Sequence, residues 1–190
     1  SIMVVGILIL VLAVAGIGIH IISKYIPSKE QMNLTEYYGQ PAEGEMVLVL
    51  GTDIMEERAL KSGDQIYLPQ DIVSTYLNQR YYWDSGNQQI LYATPSSLEK
   101  FPASEAGDGE VWVRDGKVYL SLSLVQKYTD LDFYEYQEPA RVVIRHEFTG
   151  VNVATVKKDT SIRYRGGIKS PVLTEVKKGD TLIYMQALED

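Results

Sequence analysis

Cysteine is absent from the 190-residue chain, and only two histidines, His20 and His146, are present. Without cysteine the chain has no disulfide bond, no thiolate zinc site and no cysteine nucleophile. Two histidines are too few for a histidine-based metal cluster, and we expect both to be structural. The sequence therefore predicts no metal site and no cofactor.

Basic residues are also few, 18 Lys and Arg against 25 Asp and Glu, which gives a net charge of −7. The shortage lies between Glu30 and Gly150, where 9 basic and 20 acidic residues leave a net charge of −11. From Val151 onward there are 7 basic and 5 acidic residues. Because phosphate binding depends on clustered cations, this composition excludes nucleic acid as the main partner. The change in charge predicts a domain boundary.

One long hydrophobic run stands at the start of the sequence, over residues 2–22, interrupted only by His20. As a helix this run would measure about 31 Å, close to the thickness of a bilayer's hydrocarbon core. We predict a transmembrane anchor over residues 1–24. It would place the protein in the cell membrane with a single pass and the folded domains on the extracellular side. A cleaved signal peptide is the alternative, because Ala13–Val14–Ala15 fits the cleavage pattern, but the hydrophobic residues continue beyond it.

Polar residues follow at 25–45, where two prolines and two glycines predict a linker. About 150 residues then remain to fold, too few for a (β/α)₈ barrel, which needs roughly 250. An enzyme built on that barrel would have its catalytic domain outside this chain.

An internal repeat occupies residues 46–150. The segment 66–94 shows a strand, a short helix and two further strands, and the same order returns 52 residues later without a gap. Five positions are identical in the two copies: Tyr67, Leu68, Val73, Tyr76 and Tyr82 of the first match Tyr119, Leu120, Val125, Tyr128 and Tyr134 of the second. The pattern predicts a duplicated β-α-β-β domain.

The first copy resembles the repeat of copper amine oxidase-like N-terminal domains of bacterial cell-surface proteins. The match rests on Pro69, before the short helix, and on Trp83 and Asp84 in the following strand. The second copy departs from the pattern, with Ser121 in place of the proline. Despite its name, that domain supplies no copper ligands and no redox cofactor.

The tail, residues 151–190, contains short alternating runs separated by turns. It resembles a bacterial SH3-like domain, and Thr160, Arg163, Gly179 and Asp180 match that pattern. The last strand and turn of the pattern do not follow, which leaves two alternatives, a chain that continues past Asp190 or an incomplete barrel. We favour the first. The fold class predicted for the whole chain is α+β: a transmembrane helix, the duplicated domain and a small, partial SH3-like β-barrel.

This succession of modules resembles the N-terminal region of membrane-anchored bacterial family 18 glycoside hydrolases, in which the catalytic barrel comes later. The resemblance is architectural and carries over no catalytic residue. The segment Asp130–Glu135 contains acids, but Asp132 and Glu135 are three positions apart and would project from opposite faces of a strand. We predict no catalytic site in this chain.

Aromatic and basic side chains supply the candidate contacts to a glycan or a protein partner. In the repeat these are Tyr82, Trp83 and Trp112, although aromatics that alternate along strands more often pack a core. In the tail they are Arg163 and Tyr164, although a solvated basic face is the commoner reading.

These features predict a non-catalytic, membrane-anchored envelope module that binds or positions at the cell wall. Its expected partners are cell-wall glycan or an envelope protein, and the membrane through residues 2–22. One alternative is a chitinase-like or peptidoglycan-hydrolysing enzyme whose barrel lies beyond residue 190. The other is a structural spacer or protein-docking domain without affinity for glycan.

Overall fold

The computed structural model describes residue 19, residues 21–146 and residues 152–184. The chain divides into two compact units. The larger unit comprises residues 34–150, and the smaller unit comprises residues 1–33 together with residues 151–190.

Strands dominate the larger unit. They are β1 (Glu45–Leu50), β2 (Asp53–Ser62), β3 (Gln65–Pro69), β4 (Tyr81–Asp84), β5 (Gln89–Ala93), β6 (Leu98–Ser104), β7 (Val111–Arg114), β8 (Lys117–Ser121), β9 (Leu131–Gln137) and β10 (Ala140–His146). The helical segments are α1 (Leu34–Tyr38), α2 (Gln70–Ile72), which continues into a π-helical turn (Val73–Leu77), and α3 (Leu122–Tyr128).

The strands form one ten-stranded sheet within the described residues, in the order β4-β5-β6-β7-β8-β3-β2-β1-β10-β9. The two copies of the repeat meet at its centre, where β3 pairs antiparallel with β8 and Leu68 lies opposite Leu120. These leucines are equivalent under the 52-residue shift. A pseudo-twofold axis that relates the two copies therefore passes between them. Strands β4 and β9, which are also equivalent, lie at opposite edges.

The outer hairpins repeat the same register, since Tyr81 pairs with Tyr92 in the first copy and Phe133 pairs with Ile144 in the second. The symmetry fails at β1 and β6, each of which lies next to an outer hairpin. Strand β1 runs antiparallel to β2 and parallel to β10, whereas β6 runs parallel to β7 and antiparallel to β5. Strands β1 and β6 therefore occupy equivalent places in the sheet, but their directions do not obey the pseudo-twofold symmetry.

The main core lies on the face of the sheet that the helices cover. Its helical contribution comes from Ile72, Val73, Leu122, Leu124 and Val125. Helix α3 begins at a capped end, because Ser121 Oγ accepts a hydrogen bond from the backbone N–H of Leu124 at 3.2 Å. The sheet contributes alternate residues of its strands: Met46, Leu48, Ala59, Ile66, Leu68, Tyr81, Ile90, Tyr92, Phe101, Val111, Leu120, Leu131, Val142 and Ile144.

A second, smaller cluster contains Leu60, Tyr67 and Tyr119, with Trp112 packed against it. Alternation along β3 and β8 explains it, because Tyr67 and Tyr119 precede the two core leucines by one residue and so point to the other face. The cluster is itself built from equivalent positions of the two copies, Tyr67 with Tyr119 and Leu60 with Trp112.

The smaller unit has two two-stranded sheets among its described residues. Strand β11 (Asn152–Thr155) pairs with β14 (Thr181–Tyr184), and β12 (Thr160–Arg163) pairs with β13 (Val172–Val176), both antiparallel. Gln31 forms a parallel bridge to Val172, and the backbone N–H of Met32 donates to the carbonyl of Val172 at 2.7 Å. Part of the stretch predicted as a linker therefore extends a sheet of this unit.

The predicted fold class is wrong in two respects. The described residues are mostly β-sheet with few helical residues, rather than α+β. The tail contains short strands, as expected, but they form two separate sheets and do not close into an SH3-like barrel. Alternating patterns predict that a segment is a strand, but they do not specify which strand it pairs with.

The predicted anchor needs a correction as well. Most of it, residues 1–18 and residue 20, lies outside the described residues. Within the part of the chain that the structure describes, no helix has the length and apolar character needed to cross a bilayer. The transmembrane helix, and the single-pass membrane location that depended on it, are therefore not supported.

Candidate functional site

Tyr82 and Trp83 lie on the edge strand β4, and their side chains differ in exposure. Tyr82 is 67% exposed and pairs with Leu91 of β5. Trp83 pairs with Ile90 and is partly buried against the main core. Of the two, Tyr82 presents its ring to solvent, and Trp83 serves mainly in packing.

Trp112 is held in the second cluster by several contacts. Its ring meets that of Tyr67 edge-on with centroids 5.2 Å apart, and its Nε1–H donates to the carbonyl of Glu105 at 3.1 Å. A methyl group on Gly107 would approach the indole to 2.9 Å, so the loop lies directly against the ring. These contacts account for Trp112 as a packing residue.

Arg163 and Tyr164 are brought together in the smaller unit, beside a shallow depression of about 430 Å³. The Arg163 guanidinium donates to the carbonyls of Ser28 at 2.9 Å and Ser170 at 2.6 Å, so it ties loops together. Tyr164 is 38% exposed, with the Arg165 guanidinium 5.2 Å from its ring centroid. Tyr164 is the member of this pair that remains accessible to a ligand.

A cleft of about 750 Å³ lies in the larger unit where the two copies of the repeat meet. Both copies contribute residues at the ends of their helical segments, Leu77 and Asn78 from the first and Thr129 and Asp130 from the second. The full lining is Leu77, Asn78, Arg80, Tyr92, Tyr128, Thr129, Asp130, Leu131, Asp132, Arg145 and His146. The sequence analysis selected none of these residues as a site. The one available signal was the 52-residue shift, which relates position 78 to 130 and position 80 to 132.

Asn78 joins the two copies at the floor of the cleft. Its side-chain Nδ2 donates to the Tyr128 carbonyl at 3.2 Å and to Thr129 Oγ1 at 3.0 Å, and it lies 3.3 Å from the Tyr92 hydroxyl. His146, also in the lining, has its Nδ1 2.9 Å from the Asp130 carbonyl. A carbonyl only accepts, so the imidazole donates through Nδ1.

Aromatic rings form the apolar wall. Tyr128 stacks on Tyr92 with centroids 4.0 Å apart, and its hydroxyl donates to Glu99. That hydrogen bond, assisted by Lys127, holds the pKa of the Glu99 carboxyl below its usual value. The pKa of Tyr128 is raised, mainly by partial burial and secondly by its hydrogen bond to Glu99. The wall is therefore a neutral phenol at physiological pH, fixed in position by a charged partner.

The cleft combines this wall with amide, carboxylate, guanidinium and imidazole groups. Such a mixture suits hydrogen bonding to a polar organic ligand. Among the described residues, no group of three or more His, Asp or Glu side chains is placed to hold a metal ion. Comparisons with known protein families, with curated proteins and with solved structures find no match to this chain.

Proposed function

We propose that this chain is a non-catalytic module that binds or positions at cell-wall glycan. The cleft between the two copies of the repeat carries the proposal. Sugars are recognised largely by hydrogen bonds to their hydroxyls, and the cleft offers polar side chains for such bonds. Arg80, Asp130 and Asp132 supply the polar groups, and the Tyr128 ring borders them with its edge, because Tyr92 and Lys127 cover its two faces.

The architecture that the sequence resembles supports a positioning role, as the front part of a glycoside hydrolase. In such an arrangement a binding module raises the local concentration of substrate near a linked catalytic domain. The larger unit is acidic, and an acidic surface repels extended polyanions. Its charge therefore favours a ligand that is neutral or that carries only a few isolated charges.

The test is retention of the full 190-residue chain on purified, insoluble peptidoglycan. We expect retention well above that of an unrelated protein of similar size and acidity. The double variant Arg80→Ala, Asp132→Ala removes two polar groups of the cleft and should lower retention about tenfold, since each lost hydrogen bond is worth roughly 0.5–1.5 kcal/mol.

The matched control is Asp53→Ala, Lys100→Ala, which removes the same two charges from exposed strand positions away from the cleft. Retention equal to that of the unrelated protein would contradict the proposal. Loss of retention in Tyr82→Ala, with the cleft variant unaffected, would transfer the contact to the edge strand β4.

A further inference from the structure

The two copies of the repeat place different charges at equivalent positions of the cleft. Arg80 of the first copy corresponds to Asp132 of the second, and Asn78 corresponds to Asp130, under the 52-residue shift. The first copy therefore supplies a cation and an amide where the second supplies two carboxylates. The two halves of the cleft, which come from equivalent segments, therefore carry opposite charges.

The cross-strand neighbours of these residues make Arg80 a lone cation. Asp132 lies opposite Arg145 in the pairing of β9 with β10. In the first copy the neighbour of Arg80 is Ala93, whose backbone N–H donates to the Arg80 carbonyl at 3.2 Å. Ala93 is equivalent to Arg145 under the 52-residue shift, so the first copy has a methyl group where the second has a guanidinium. The ion pairs found in the described residues do not include Arg80, and its side chain is exposed.

Arg145, the other guanidinium of the cleft, is already engaged. It lies over the ring of Tyr134 with its central carbon 4.5 Å from the centroid. A guanidinium stacked on an aromatic face is held in one orientation, and Arg145 belongs to the lining of the cleft. Arg80 makes no ring contact and no ion pair among the described residues and is exposed, so its guanidinium can turn its planar fork toward a ligand.

We infer that the cleft recognises a sugar that carries a carboxylate. This inference rests on the proposed glycan-binding function and names the class of glycan. The guanidinium of Arg80 would take the carboxylate in a bidentate pair, a geometry that a planar fork matches well. Asp130 and Asp132, which also line the cleft, would accept from the sugar's hydroxyl or amide N–H groups.

The acidic surroundings sharpen this selectivity. The segment Glu30–Gly150 carries a net charge of −11, so a general attraction for anions is absent. An anionic sugar gains binding free energy only if its carboxylate comes close to the Arg80 guanidinium. At that short range the attraction exceeds the repulsion from the more distant acidic residues, which salt screens. Recognition thus depends on one residue, which makes it testable by one substitution.

The experiment is a calorimetric titration of the full chain with three soluble tetrasaccharides. One is the neutral tetramer of N-acetylglucosamine, the second alternates N-acetylglucosamine with N-acetylmuramic acid, and the third is the second with its carboxylates converted to amides. We expect the carboxylated tetramer to bind about tenfold more tightly than its amide. Arg80→Gln should abolish that difference, and Lys100→Gln, which removes a cation elsewhere, should preserve it.

Two results would overturn the inference in distinguishable ways. Equal affinity of the native chain for the carboxylated and amidated tetramers, with measurable binding of both, would remove the carboxylate preference and leave glycan binding intact. No binding of any of the three sugars would remove the proposed function as well. The midpoint temperature of thermal unfolding is measured for Arg80→Gln and for the native chain. Equal midpoints show that the variant is folded and that its loss of discrimination comes from the missing guanidinium.

Discussion

At the scale of single residues, identical side chains in the two copies acquire different environments. Tyr76 and Tyr128 are equivalent, yet Tyr76 is 58% exposed, whereas Tyr128 stacks on Tyr92. The position equivalent to Tyr92 in the second copy is Ile144, which has no ring to stack on. A repeat detected in the sequence therefore indicates equivalent places in the fold but not equivalent roles.

The same reasoning separates Asn78 from Asp130. Because Asn78 donates to the Tyr128 carbonyl, which can only accept, Asn78→Asp would place a carboxylate against that carbonyl. We expect the free energy of unfolding to fall by about 1–3 kcal/mol, the cost of leaving such groups unsatisfied. Urea denaturation measures it. The control is Asp130→Asn at the equivalent, exposed position, which we expect to change stability by less than about 0.5 kcal/mol. Equal midpoints for native protein and Asn78→Asp would contradict the prediction.

The sequence indicates that the candidate residues of the repeat lie on strands, but it does not determine their exposure. Strand alternation places Tyr82 and Trp83 on opposite faces, but it does not tell which face is covered. The cleft residues are ordinary polar residues that follow helical segments, and they become a site only because the copies meet there. No local pattern marks Asn78 or Arg80 as a ligand-binding residue.

At the scale of elements, the sequence predicted the order of strand, helix, strand and strand in both copies. It did not predict that β3 and β8 pair with each other at the centre of the sheet, or that β1 inserts beside β10 in parallel. These pairings join residues far apart in the chain, and hydrophobic periodicity carries no information about distant partners. The same limit explains the tail, where strands were expected and a closed barrel was wrongly inferred.

Helix α3 gives an element-scale prediction, since its N-terminus depends on one side chain. Ser121→Ala would remove the cap on the Leu124 N–H, and we expect a loss of about 1 kcal/mol in the free energy of unfolding. Ser123→Ala removes an exposed hydroxyl that lies 3.1 Å from Ser121 Oγ but leaves the cap itself in place, and it should cost less than Ser121→Ala. If the two variants unfold at the same urea concentration, the cap does not contribute measurably. Pro69 stands at the equivalent position of the first copy and supplies no side-chain cap.

At the scale of the whole molecule, the two units differ in the way they are assembled from the chain. The larger unit is one continuous stretch whose core joins both copies of the repeat, since Tyr81 of the first donates its hydroxyl to the Leu124 carbonyl of the second at 2.9 Å. The smaller unit combines segments from the two ends of the sequence. The division at residue 150 falls where the charge balance changes, although composition gave no sign that residues before 34 join the tail.

The buried tyrosines of the larger unit make its stability depend on pH in the alkaline range. Burial raises the pKa of Tyr67, Tyr81 and Tyr119, and for Tyr81 the neighbouring Tyr92 and Tyr128 add to the effect. A group whose pKa is higher in the folded state contributes stability that is complete below its unfolded value, about 10 for tyrosine. Above that pH the unfolded chain loses the proton first, so stability falls as pH rises toward the folded pKa.

Tyr81→Phe isolates this effect. At pH 8 the variant should be less stable than the native protein, because it lacks the hydrogen bond to the Leu124 carbonyl, worth about 1 kcal/mol. Above pH 10 the native protein alone bears the cost of keeping the Tyr81 phenol protonated, which grows by up to about 1.4 kcal/mol per pH unit. The difference in unfolding free energy should therefore shrink and then reverse between pH 8 and pH 11.5, as measured by urea denaturation. A difference that stays constant over this range would mean that Tyr81 ionises in the folded state as readily as in the unfolded chain, and that the interior of the larger unit admits water at the junction of its two copies.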